Sequence, residues 1–170
     1  MCIRDRRRDR AILFTFIDSG IRLGELLSLT AGSFRAQDRT FEVTGKTGTR
    51  RLNFGKQPWI AVDRYLRSRR SHAYVDREEL WLGNQGPLTQ SGIAQMLKRR
   101  SRQAGVEGVN PHRFRHTVAH NWLKDGGNET DLQRHMGWSS LQMAAVYAES
   151  TAEERAIEAH ARLSLGDKFA

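Results

Sequence analysis

Side chains that suit phosphate chemistry occur together in residues 111–116, which include His112, Arg115 and His116. His112 and Arg115 are three residues apart, so a helix opened by Pro111 places them on one face. At a helix N-terminus the free backbone N–H groups and the dipole both favour an anion. The segment therefore predicts a phosphate site, although a solvated turn of basic residues would give the same pattern.

A metal site is the other chemistry that this helix suggests, because His112, His116 and His120 recur at four-residue spacing. No cysteine lies nearby to complete such a site, and Arg115 would place a positive charge beside the cation. We therefore expect no metal here.

Two further cations and two aromatic residues are ambiguous when each is taken alone. Arg22 follows a glycine turn and precedes Glu25 by three residues, a spacing typical of a surface ion pair. Lys46 lies on a glycine-flanked turn, where most lysines face solvent, and the spacing of a P-loop is absent. Trp138 and Tyr147 are each more typical of a core than of an active site.

In order and spacing, however, these residues resemble the catalytic domain of tyrosine recombinases, the phage integrase family. The family's first box, T-G-x-R-x-x-E-L, is similar to residues 19–26, which read S-G-I-R-L-G-E-L. Its second box, H-x-x-R-H, is matched by His112, Arg115 and His116. Its lysine on a β-turn corresponds to Lys46, 24 residues beyond Arg22.

The remaining two family positions follow at the expected distances. Trp138 lies 23 residues beyond Arg115, after Met-Gly where the family usually has Leu-Gly, and stands where histidine is commoner. Tyr147 lies 9 residues beyond Trp138, at the position of the family's nucleophile. All six positions are thus filled in order, across most of the chain.

The resemblance implies a mechanism and a role for each of these residues. Tyr147 would attack a DNA phosphodiester and form a 3′-phosphotyrosyl bond, while Arg22 and Arg115 would hold the non-bridging phosphate oxygens. Lys46 would protonate the leaving 5′-oxygen, and His112 would help to move the proton of Tyr147. Trp138 would donate its indole N–H to the phosphate and support the tyrosine ring. No cofactor and no metal is implied.

The composition agrees with a partner that is a polyanion. The chain has 28 Lys and Arg against 19 Asp and Glu, a formal net charge of +9, which makes nucleic acid the first candidate partner. Arg99, Arg100 and Arg102 crowd the end of one predicted helix and are expected to meet DNA backbone phosphates, although a solvated helix face would look the same. The resemblance implies double-stranded DNA as the partner, with copies of the chain assembling on it as a tetrameric synapse.

The elements that must position these residues are mostly helices. Hydrophobic periodicity and capping residues predict helices over 9–18, 22–29, 56–70, 89–105, 111–125, 128–137, from 139 through Tyr147, and 151–164. For the last two, Ser139 with Gln142 and Thr151 with Glu154 match the capping-box pattern. Alternating residues predict a β-hairpin around the turn at 45–48, a short strand near 33–35 and an extended piece at Trp81 and Leu82. We expect an α+β fold, mainly α-helical, with one small antiparallel sheet.

The 170 residues suit a single domain, which we place at 9–170, with residues 1–8 as a non-native or disordered end. The helical DNA-binding domain that usually precedes this domain in the family is expected to be absent. Cys2 is the one cysteine, so no disulfide can form within the chain, and this fits a reducing cytoplasm. No apolar run approaches the length of a membrane span, and the N-terminal apolar run is too short for a signal peptide.

The predicted function is therefore a site-specific DNA recombinase or integrase. Three rivals stay open: a non-cleaving DNA-binding remnant or regulator with the same fold, a type IB topoisomerase-like enzyme, and a metal-dependent nuclease.

Overall fold

A computed structural model describes residues 3–169 of the chain. Contacts within the chain divide it into two compact units, Met1–Val118 and Ala119–Ala170. The expected fold class is confirmed, since most described residues are helical and the strands pair antiparallel. Among the described residues, no helix is long and apolar enough to cross a membrane.

The helices follow the predicted order. They are α1 (Ile3–Ser19), α2 (Leu23–Leu27), α3 (Lys56–Arg69), α4 (Gln90–Ala104), α5 (Pro111–Lys124), α6 (Glu129–Met136), α7 (Gln142–Ser150) and α8 (Ala152–Leu163). The strands are β1 (Phe34–Arg35), β2 (Thr40–Gly45), β3 (Gly48–Asn53), β4 (Leu82–Gly83) and β5 (Gly86–Pro87). Short 3₁₀ turns cover Ala31–Ser33 and Gly166–Lys168.

The predicted hairpin is present as β2 and β3, with β1 added at its outer edge. The hairpin closes at the pair Gly45 and Gly48, so Lys46 and Thr47 form a two-residue turn. Gly48 has φ of +111°, a conformation that favours glycine. Alternate residues, including Phe41 and Leu52, are buried, so one face of the sheet covers the core.

The core of the first unit joins α1, α3, the sheet and the start of α5. Phe41 and Phe54 stack with ring centroids 4.3 Å apart. Phe16 of α1 stacks on Phe114 of α5 at 5.6 Å with nearly parallel rings. This contact fixes the first turn of α5 against α1, which matters because that turn carries His112 and Arg115.

A buried arginine organises the loop after α3. Arg69 is 7% exposed, and its guanidinium donates to backbone carbonyls of the loop, namely those of Val75, Arg77, Glu79 and Leu80. The Tyr65 hydroxyl donates to the carbonyl of Leu80 and accepts from the N–H of Leu82, and burial raises the pKa of this phenol. The loop is therefore held by side chains that satisfy its backbone groups.

The first helix begins at Ile3, six residues before the predicted start at residue 9. The helix thus includes residues 3–8, which the sequence analysis placed in a non-native or disordered end, while Met1 and Cys2 lie outside the described residues. The physical reason is that Arg8 is buried and paired. Its guanidinium contacts Asp5 at 3.0 Å and Asp9 at 2.7 Å, and donates to the carbonyl of Leu82.

In the second unit, both ends of α6 are as predicted. Asn128 accepts a hydrogen bond from the N–H of Asp131, and Gly137 ends the helix at φ of +61°.

The two predicted capping boxes are wrong. α7 begins at Gln142, whose N–H donates to Ser140, so Ser139 does not cap the helix. Thr151 is the N-cap residue of α8, but its hydroxyl donates to the carbonyl of Tyr147 in the preceding helix and makes no cap hydrogen bond.

Candidate active site

Arg22 lies on a tight turn between α1 and α2. α1 ends at Ser19, Gly20 has φ of +59°, and the buried side chain of Ile21 fixes the turn in the core. Arg22 is the N-cap of α2, and its side chain is 42% exposed. Its guanidinium is therefore accessible from solvent while its backbone is held.

Glu25 holds Arg22 by two hydrogen bonds. The backbone N–H of Arg22 donates to Glu25 Oε2 and its Nη1 donates to Oε1, each at 2.9 Å. This is the ion pair that the three-residue spacing predicted. Unlike an ordinary surface pair, it uses a carboxylate whose side chain is only 4% exposed.

Glu25 has a second partner that the sequence analysis missed. Arg50 of β3 donates from Nη1 to Oε1 and from Nη2 to Oε2, both at 2.9 Å. Burial raises the pKa of Glu25, but the hydrogen bonds and charge of Arg50 and the hydrogen bonds from Arg22 outweigh it and lower the pKa to about 2. The signal was strand alternation, because Arg50 is on the same face of β3 as buried Leu52.

The hairpin carrying Lys46 approaches the same carboxylate. A Cβ added to Gly45 would lie 2.6 Å from Glu25 Oε1, which leaves room only for glycine. Lys46 itself is exposed at the turn. The structure therefore links the Lys46 hairpin and the Arg22 turn through Glu25.

Arg115 reaches the Arg22 turn from α5. It is 8% exposed, and its Nη1 donates to the carbonyl of Gly20 at 2.8 Å, two residues before Arg22. The two arginines of the first unit therefore meet at one turn, although 93 positions separate them in sequence.

The first turn of α5 is capped, so its backbone N–H groups are not all free as the sequence analysis expected. Asn110 Oδ1 accepts a hydrogen bond from the N–H of Arg113, so an asparagine one residue before Pro111 caps this helix. His112 is exposed in that first turn.

In the second unit, Trp138 and Tyr147 lie together. Their rings stack with centroids 5.6 Å apart and an angle of 10° between the planes. The backbone N–H of Trp138 donates to the carbonyl of Gln133. Trp138 directly follows Gly137, whose left-handed conformation ends α6. The indole thus supports the tyrosine ring, as the sequence analysis expected.

The three arginines predicted to meet DNA differ in their surroundings. Arg100 contacts buried Asp9 at 2.6 Å and Arg99 contacts it at 3.4 Å, whereas Arg102 is exposed at the last turn of α4. Arg100 therefore also has a structural role in joining α4 to α1. Contact of these residues with DNA stays a prediction.

The histidine spacing on α5 does not produce a metal cluster in the part of the chain that the structure describes. Within residues 3–169, no group of three or more His, Cys, Asp or Glu side chains is arranged to hold a metal ion.

Comparison with known proteins identifies the family. The pattern of the phage integrase family matches residues 2–154. The tyrosine recombinase XerC of Leptospira interrogans is 32% identical over 150 residues, covering 86% of this chain and 48% of the relative. That of Alcanivorax borkumensis is 34% identical over 144 residues, covering 82% and 47%.

Solved structures agree with this assignment. The crystal structure of XerA recombinase superposes with a TM-score of 0.80 at 25% identity, covering 94% of this chain and 57% of that one. XerH recombinase bound to its difH substrate has the same fold, with a TM-score of 0.75 at 20% identity, covering 87% and 44%. The chain thus spans about half the length of the curated relatives it matches. Because the family pattern matches residues 2–154, which are most of the chain, the chain belongs to the phage integrase family.

Proposed function

We propose that the chain is the catalytic domain of a site-specific DNA recombinase that breaks and rejoins DNA through a 3′-phosphotyrosyl bond. The observation that carries the proposal is the meeting of Arg22 and Arg115 at one turn. Guanidinium groups remain charged at all physiological pH values and match the geometry of phosphate oxygens. Relatives named as recombinases support the choice of DNA as substrate.

Cleavage is an exchange of one phosphoester for another. The hydroxyl oxygen of Tyr147 attacks phosphorus, the tyrosyl–phosphorus bond forms, and the bond to the 5′-oxygen breaks. His112 receives the proton of Tyr147, and Lys46 gives a proton to the departing 5′-oxygen. A 5′-hydroxyl from a second strand then reverses these steps, so the DNA is rejoined without a nucleotide cofactor.

Arg22 and Arg115 stabilise the charge that develops on the phosphate oxygens, and Trp138 adds one N–H donor. Fixed donors aimed at a transition state contribute roughly a hundredfold or more each. Replacement of either arginine should therefore lower the cleavage rate by about that factor.

Double-stranded DNA and further copies of this chain are the proposed partners. XerH is described as a site-specific recombinase bound to difH substrate, and the Tn1549 integrase as in complex with transposon right-end DNA. We extend this to a tetrameric synapse on DNA, in which Arg99, Arg100 and Arg102 contribute backbone contacts. A cytoplasmic setting fits this role.

The test is formation of a covalent protein–DNA adduct on nicked duplexes of mixed sequence, resolved on a denaturing gel. Wild type should form the adduct, and Tyr147→Phe should form none while it binds DNA with the same salt dependence. DNA binding by wild type without any adduct would indicate a non-cleaving DNA-binding module. DNA cleavage that leaves no adduct and stops on adding chelator would indicate a metal-dependent nuclease instead.

A further inference from the structure

Arg50 is an inward-facing arginine on a small surface sheet. Its side chain is 13% exposed, while its neighbours Thr49 and Arg51 are exposed. It pairs across the hairpin with buried Val43. A cation in such a position needs a fixed counter-charge, because removal from water is costly for an unpaired ion.

The counter-charge is the Glu25 carboxylate, which Arg50 shares with Arg22. Each oxygen of Glu25 accepts one hydrogen bond from each arginine. Oε1 accepts from Nη1 of both residues, while Oε2 accepts from Nη2 of Arg50 and the backbone N–H of Arg22. The parallel contacts of Arg50 come from a strand outside the Arg22 turn, so they hold the carboxylate independently of the residue that it orients.

This arrangement also ties together two parts of the chain. Arg50 lies four residues after Lys46 on the same hairpin, and Glu25 lies three residues after Arg22. Gly45 brings the hairpin backbone close to the same carboxylate. One guanidinium therefore connects the segment that bears Lys46 with the turn that bears Arg22.

We propose that Arg50 is a positioning residue for DNA cleavage, which holds the Glu25 carboxylate and through it the guanidinium of Arg22 in the orientation that the scissile phosphate requires. The role rests on the proposed function, since Arg22 is there assigned to the phosphate. Arg50 acts through Glu25 and not on the reacting atoms.

The experiment compares Arg50→Met and Arg50→Lys with Arg35→Met as the matched control. Arg35 is on the same sheet and pairs with a glutamate, Glu42, but this pair is exposed and leads to no site residue. Two measurements are made on each variant. The first is hydrogen exchange of the Arg22 side-chain N–H groups by ¹⁵N NMR in the free protein, with the signals assigned by Arg22→Lys. The second is the single-turnover rate of adduct formation at saturating nicked DNA, with DNA affinity measured alongside.

In Arg50→Met we expect exchange at Arg22 to accelerate about tenfold or more and adduct formation to slow by roughly tenfold to a hundredfold, with DNA affinity within about twofold of wild type. Arg50→Lys keeps the charge but loses the bidentate contact with Glu25, so its rate of adduct formation should lie between those of Arg50→Met and wild type. Arg35→Met should match wild type in both measurements.

Unchanged exchange at Arg22 in Arg50→Met would overturn the proposal, whatever happens to cleavage. So would an equal loss of cleavage in Arg35→Met, because that would reflect a general loss of charge. Should wild type form no adduct, the proposed function fails, and the Arg22 exchange still decides whether Arg50 positions it. Should Arg50→Met not fold, Arg50→Lys provides the same decision from the Arg22 signals.

Discussion

The Glu25 carboxylate should stabilise the folded chain in a manner that depends on pH, and Glu25→Gln isolates this effect. Glutamine keeps the size of the side chain and removes the negative charge, so it imitates a protonated Glu25. In the wild type this carboxylate is buried between Arg22 and Arg50 and its pKa is lowered to about 2. The substitution should therefore destabilise the protein most where Glu25 is ionised.

The magnitude follows from the lowered pKa. The interval between the ordinary value of 4.5 and about 2 corresponds to about 3 kcal/mol, at about 1.4 kcal/mol per pH unit. Because the folded-state pKa is the lower one, this stabilisation is complete above pH 4.5 and is lost as the pH falls towards 2. The difference between wild type and Glu25→Gln should thus be about 3 kcal/mol at pH 7 and about 1 kcal/mol at pH 3.

The assay is equilibrium unfolding in urea at a series of pH values, and the quantity is the difference in unfolding free energy between the two proteins. Other titrating groups are common to both and cancel in this difference. Glu42→Gln, which removes an exposed glutamate from the same sheet, serves as the control and should cost less than about 1 kcal/mol at every pH. A Glu25→Gln difference that stays constant between pH 7 and pH 3 would refute the reasoning.

Three further substitutions test the packing around the site and the loops. Arg69→Met removes the arginine donor from four loop carbonyls, of which that of Leu80 keeps the Tyr65 hydroxyl, and should lower the unfolding free energy by about 2–4 kcal/mol, with faster amide exchange in the following loop. Gly45→Ala places a Cβ 2.6 Å from Glu25 Oε1 and should cost about 1–3 kcal/mol in urea unfolding. Gly127→Ala overlaps the Trp122 indole nitrogen, so it should cost about 1–3 kcal/mol and alter tryptophan fluorescence.

Gly24→Ala is the control for both glycine substitutions. A Cβ at Gly24 meets nothing within 4 Å, and the residue lies inside α2, where alanine is the better helix former. It should be neutral or stabilising by up to about 1 kcal/mol. Destabilisation by Gly24→Ala as large as that by Gly45→Ala would show that the contact with Glu25 is not the cause.

The elements that the sequence predicts well are those with strong local signals at both ends. α4 is capped by Thr89, which accepts from the N–H of Gly92, and ends at Gly105 with φ of +66°. In the β2–β3 hairpin, buried Phe41 and Val43 alternate with exposed Glu42 and Thr44 before a glycine-flanked turn. Such signals depend on neighbouring residues alone, so no tertiary contact has to be known.

The features that the sequence does not predict depend on contacts between distant residues. Arg8 extends α1 towards its N-terminus through the carbonyl of Leu82, 74 residues away. Arg50 reaches Glu25 across 25 residues, and strand alternation indicates that this arginine faces inward but does not identify the carboxylate that it meets. The family motif identifies Arg115, but its hydrogen bond to Gly20, 95 residues earlier, requires the folded chain.

The regular pairing of β2 with β3 limits how far evolution or design can move the lysine at its tip. Each added cross-strand pair would push Lys46 outward by about 3.4 Å and would also reverse the face of every side chain between the added pair and the turn. A single inserted pair below Arg50 would therefore turn that arginine towards solvent and away from Glu25. Only steps of two pairs, about 7 Å, keep each side chain on its face of the sheet, and such a step is more than twice the length of a hydrogen bond, about 3 Å. Changes in the position of Lys46 smaller than this step must therefore come from the conformation of the two-residue turn, because the length of the paired strands is fixed.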